Sequence, residues 1–169
     1  LALAQEAGRE NLNQPNKLIL ISPWLDVTMK NPKIEIVQKN DKMLNKKVLT
    51  IAGVAYSGGK DMDKYLVSPI AYAGNDGINN YLVNPIDGDL SKLKNLTIFT
   101  GTYDILNPDV HIFEKLAKEK NLKLNVKETK GAAHIWIIKR YTDKKYNDDK
   151  AKNAYNDLVE LINEEENYR

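Results

Sequence analysis

Two short stretches of this chain carry almost no polar positions. "LILI" (Leu18 to Ile21) is closed by Ser22-Pro23, and the apolar and β-branched run from Leu96 to Thr100 is closed by Gly101. Short runs with no polar face predict strands buried on both sides in a parallel sheet. A third segment, "LKLNVKETKG", alternates apolar and polar residues and predicts a strand with a wetter face. Helical spacing accounts for much of the remainder. Val110, Phe113, Leu116 and Ala117 form one stripe, with Asn107-Pro108-Asp109 as its start signal and Asp109 as the cap. Ala151, Ala154, Tyr155, Leu158, Leu161 and Ile162 form another. Residues 1 to 13 have Ala, Leu and Glu at helical density and end before Pro15. The order helix, strand, helical insert, strand, helix, strand, helix predicts an α/β protein with about three parallel strands flanked by helices.

The segment from Ala55 to Ile86 is a tandem duplication. "AYSGGKDMDKYLVSPI" and "AYAGNDGINNYLVNPI" align without gaps at a spacing of 16. Two copies are too few for a solenoid, which needs at least three units to bury a continuous core. The duplication therefore reads as a local one within a connecting segment of a single domain spanning 1–169.

Composition narrows the partners. Lys+Arg of 25 against Asp+Glu of 23 leaves a net charge of +2, and the basic residues are interspersed with acids. That distribution does not call for nucleic acid. The absence of Cys excludes disulfides, thiolate metal sites and a Cys nucleophile, and fits a reducing, cytoplasmic setting. No apolar run is long enough to span a bilayer. Nothing in the sequence asks for a cofactor or a metal.

Chemistry is expected beyond the carboxyl ends of the strands. Asp104 follows the second strand in "GTYDILNPDV", and His134 follows the third in "GAAHIW". At neighbouring strand ends a carboxylate and an imidazole can meet, the carboxylate fixing the tautomer and raising the basicity of the ring. Taken singly, Asp104 is equally a turn former and His134 a half-buried packing residue. Asp26 reads as a turn residue and His111 as a solvated helix residue. Among the serines, Ser22, Ser68 and Ser91 suit turns. Ser57 in "AYSGG" comes nearest to the G-x-S-x-G nucleophile turn, but Ala55 holds its first Gly position and Ala73 replaces the Ser in the second copy.

The segments "LALAQEAG", "LILISPWLDVT", "YLVNPIDGDLSKL", "IFTGTYDILNPDV" and "AAHIW", in this order, resemble the C-terminal part of a bacterial esterase of the hormone-sensitive-lipase group of α/β-hydrolases. The resemblance implies that Asp104 is the acid and His134 the base of a Ser-His-Asp triad, with no cofactor. In that group a "GDSAGG" elbow runs into an "LALALA" helix. The implied nucleophile therefore lies just before Leu1, and an upstream "HGG" segment supplies the oxyanion hole. The implied partners are a small acyl ester substrate and either the missing N-terminal segment or a second copy of the chain, associated through the uncovered sheet edge. Taken alone, the chain is then expected to be inactive. The alternatives are an inactive α/β module derived from a hydrolase, and a complete hydrolase that uses Ser57.

Overall fold

In the computed structural model, which describes residues 1–57, 77 and 80–164, the three expected strands form a parallel sheet of order β1-β2-β3. β1 is Leu18–Ile21, β2 is Leu96–Gly101 and β3 is Leu124–Thr129. Most of the tandem duplication at 55–86 lies outside the described residues. Leu18, Leu96 and Leu124 stand abreast across the sheet, as do Leu20, Ile98 and Val126. Successive side chains point to opposite faces, so these six share one face while Ile19, Ile21 and Phe99 share the other.

Helices cover both faces. Against the first lie α1 (Ala2–Arg9) and α4 (Asn107–Glu119), whose Ala4, Val110 and Phe113 join Leu25, Leu90 and Leu93 in one cluster. Against the second lie α5 (Trp136–Lys139) and α6 (Asp149–Asn163), through Trp136, Ile137, Ala151 and Ala154. Each large apolar side chain fully removed from water contributes about 1.5–3 kcal/mol, so β2, which is buried at every position between the two clusters, anchors the sheet. The expected helical insert is α2 (Lys33–Gln38) and α3 (Lys46–Tyr56). It has a core of its own in which Met29 and Ile34 pack with Ile105 and Leu106 from the loop after β2.

Four expectations need correction. β1 is only half-buried along its length, because among the described residues it pairs with β2 alone. α1 stops at Arg9, well before Pro15, because Asn11 takes up a left-handed conformation (φ 54°). The amides of Asn11 and Leu12 then bond back to Gly8 and Ala7, a Schellman stop. α4 ends in the same way at Asn121 (φ 56°). Ile162 is exposed, since Leu161 is the residue that packs on the second cluster at this end of α6 and Ile162 lies about 100° further round the helix.

The fourth concerns Asp109, which does not cap α4. It lies inside the first turn, 1% exposed, where Oδ1 accepts a 2.8 Å hydrogen bond from Asn31 Nδ2 and Oδ2 has no partner among the described residues. Burial pushes its carboxyl up to about 6, and the Asp26 charge adds to the rise while the Asn31 bond opposes it. A carboxyl raised in the folded state favours folding when protonated. That contribution is complete below the unfolded value of 3.8 and is lost as pH rises through about 6.

Asp109→Asn should accordingly gain stability over the parent as pH rises. Unfolding free energies from urea titrations are expected to diverge by about 2–3 kcal/mol between pH 4 and 8, and parallel pH profiles would contradict the assignment. At the end of β2, a Cβ placed on Gly101 would overlap the Ala132 carbonyl oxygen, a backbone atom that cannot swing aside. Gly101→Ala should cost about 3 kcal/mol or more in denaturant unfolding; a loss under about 1 kcal/mol would mean the two loops are not in close approach.

Candidate active site

β2 and β3 run side by side to their carboxyl ends, and the loops that leave them are tied together. Thr102 N donates to Thr129 O at 3.1 Å, Tyr103 N to Ala132 O at 3.0 Å, and Gly131 N to Thr102 Oγ1 at 2.8 Å. Gly131 adopts φ +72°, which glycine takes without strain. The missing Cβ of Gly101 lets the second loop lie directly on the first.

These contacts bring the two sequence candidates together. Asp104 is completely buried, and its Oδ2 lies 2.9 Å from Nδ1 of His134, whose side chain is 19% exposed. Asp104 Oδ1 accepts from Leu106 N at 2.9 Å, so both carboxylate oxygens are held. A carboxylate only accepts hydrogen bonds, so Nδ1 carries the proton and Nε2 is left with its lone pair. The arrangement is an oriented imidazole base at a strand-end edge.

The ring is steadied from a third strand. Ser22, at the end of β1, has its Oγ 3.0 Å from the amide of Ile135, which donates to it. Ser22 (φ 50°) and Ile135 (φ 48°) both sit in the left-handed region, at a cost of about 1–3 kcal/mol each, and the surrounding contacts hold them there. Ser22 is thus more than the turn residue expected of "SP". Asp26 does form the expected turn, its Oδ1 accepting from Thr28 N at 2.8 Å.

The other candidates fall elsewhere. Ser57 follows the last residue of α3 and its hydroxyl donates to Val54 O at 2.8 Å, so it occupies a helix end and not a strand-to-helix turn. His111 is half-exposed on α4 and its Nε2 lies 2.8 Å from Glu128 Oε2. Asp41, which sequence reasoning passed over, is 6% exposed and its Oδ2 accepts from Ile105 N at 2.9 Å. Its only sequence signal is a polar turn between two helices. Among the described residues no group of three or more His, Asp and Glu is placed to hold a metal ion, and no helix is long and apolar enough to cross a membrane. A groove of about 920 Å³ lined by residues such as Asn16 and Asn95 opens at the amino ends of β1 and β2, away from the Asp104–His134 pair.

Solved structures share this architecture. The chain superposes on a structure titled esterase/lipase from an uncultured bacterium with a TM-score of 0.65 at 21% identity, over 90% of this chain and 45% of that one. The esterase EstE5, soaked with p-nitrophenyl butyrate, matches with a TM-score of 0.65 at 21% identity, over 90% of this chain and 46% of that one. A hormone-sensitive lipase from a metagenome library matches with a TM-score of 0.68 at 18% identity, over 94% and 49%. The chain therefore spans about half the length of these structures, and at such identities they establish the fold. A comparison with curated proteins found no match. A family model described as the alpha/beta hydrolase fold matches residues 1–138, a span that includes all three strands, Asp104 and His134, and the chain belongs to that family.

Proposed function

We propose that Asp104 and His134 are the acid and base of a Ser-His-Asp acyl-transfer site, and that the protein carrying this chain hydrolyses small carboxylic esters. The observation that carries the reading is the 2.9 Å Asp104–His134 contact at the carboxyl edge of the sheet. None of the described serines suits the role of nucleophile. Ser57 ends a helix, Ser91 bonds Asp89, and Ser22 is 5% exposed with its oxygen engaged by Ile135. Ser68, which precedes Pro69 and lies outside the described residues, is read as a turn residue, and the nucleophilic serine and the oxyanion-hole amides are assigned to polypeptide outside residues 1–169.

In this reading the serine Oγ attacks the ester carbonyl as its proton passes to His134 Nε2. Asp104 holds the Nδ1–H and stabilises the imidazolium. The tetrahedral intermediate collapses, and His134 returns the proton to the departing alkoxide, which leaves as the alcohol. Water then repeats the sequence on the acyl-serine, releasing the carboxylic acid. The acid must be rigid for this to work, and Asp104 meets that need through burial and its bond from Leu106.

Residues 1–169 alone should hydrolyse p-nitrophenyl butyrate no faster than buffer, whereas the protein extended through an upstream serine elbow should turn it over. In the extended protein Asp104→Asn is expected to lower kcat by about 10³–10⁴ with KM little changed. A variant that keeps more than a tenth of the parent turnover would remove Asp104 from the mechanism.

A further inference from the structure

The loop that carries Asp104 belongs to two substructures at once. Ile105 and Leu106, the next two residues, are 0% and 3% exposed and lie in the core of the helical insert with Met29 and Ile34. Val37, Leu44 and Leu49 of the insert pack around them. The backbone repeats the pattern. Leu106 N donates to Asp104 itself, while Ile105 N, one residue earlier, donates across 64 positions to Asp41 Oδ2 at 2.9 Å. Asp41 Oδ1 accepts from Met43 N at 2.8 Å and Leu44 N at 2.9 Å, which hold the turn between α2 and α3. One buried carboxylate therefore takes three amides, two from the insert and one from the loop of Asp104.

We propose that Asp41 is a positioning residue for Asp104. The amide that it holds is part of the Asp104–Ile105 peptide. Rotation of that peptide would swing the Asp104 side chain off His134 Nδ1, and the bond to Asp41 opposes that rotation. Asp41 is not among the hydrogen-bond partners of His134, so it acts through Asp104. The position of the insert is thereby coupled to the geometry of the pair, and displacement of the α2–α3 turn disturbs the acid before it disturbs the base. The proposal rests on the reading of Asp104 and His134 as the proton-handling pair.

The test follows the low-field Nδ1 proton of His134 by NMR in the intact protein, identified by its disappearance in Asp104→Asn. Asp41→Ser retains an oxygen for the Met43 and Leu44 amides but is too short to reach Ile105. It should speed exchange of the Nδ1 proton with water at least tenfold while amide exchange in β2 stays unchanged. Glu35→Gln, which breaks the 2.7 Å Lys46–Glu35 ion pair within the insert, should leave the proton as in the parent. Asp41→Asn serves as a second variant should Asp41→Ser fold poorly, since either amide orientation sets a donor against a donor. If the signal is sharp and slow to exchange in both Asp41 variants, the positioning role is wrong. If Asp104→Asn leaves the signal in place, or the parent has none, the pair itself has been misread.

Discussion

A carboxylate without solvent contact governs this end of the molecule. Asp104 is completely buried, and removing water from such a group is costly unless hydrogen-bond donors replace it. The amide of Leu106 and Nδ1 of His134 are the replacements. To bring them within reach, β2 must end at Gly101, the chain must turn at once, and the loop after β3 must fold back onto that turn. The Gly101–Ala132 contact and the three hydrogen bonds between the loops satisfy those conditions. The long pairing of β2 with β3, six residues on each strand, keeps both loops at a constant offset.

The same demand explains why the insert cannot be treated as an appendage. Its core is completed by Ile105 and Leu106, and its turn residue Asp41 takes up an amide of the acid loop that would otherwise be buried without a partner. On the other side, Ser22 reaches from β1 to the amide that follows His134. Asp104 and His134 are thus each braced by a residue from an element that supplies neither of them. Backbone strain at Ser22 and Ile135 persists because the bond between them and the packing of Trp136 and Ile137 over-determine the loop.

Much of this was legible in advance. The three strands and the helical stripes follow from apolar runs and periodicity, and Asp104 and His134 stand out because strand ends in parallel sheets gather polar residues. Misreadings arose where a local signal had a tertiary competitor. Asp109 follows Asn-Pro in a typical helix start, yet it is drawn inward to Asn31 and left with one unpartnered oxygen. "LILI" has the composition of a strand buried on both sides, but burial depends on neighbours, and among the described residues β1 has only β2. Ser57 lies in a Gly-rich context that resembles a nucleophile turn, but the preceding residues propagate a helix up to it.

By itself the sequence determined the order and type of the elements, because those depend on apolar runs and on periodicities of two and about 3.6 residues written along the chain, and it marked the two polar residues that follow the second and third strands. The tertiary structure alone decided that Asp104 and His134 meet at 2.9 Å, that Ser22 steadies one loop, and that Asp41 grips the other. A hydrogen bond between residues far apart in the chain leaves no periodic trace. It exists only once packing has brought both groups out of water and made each the best remaining partner of the other.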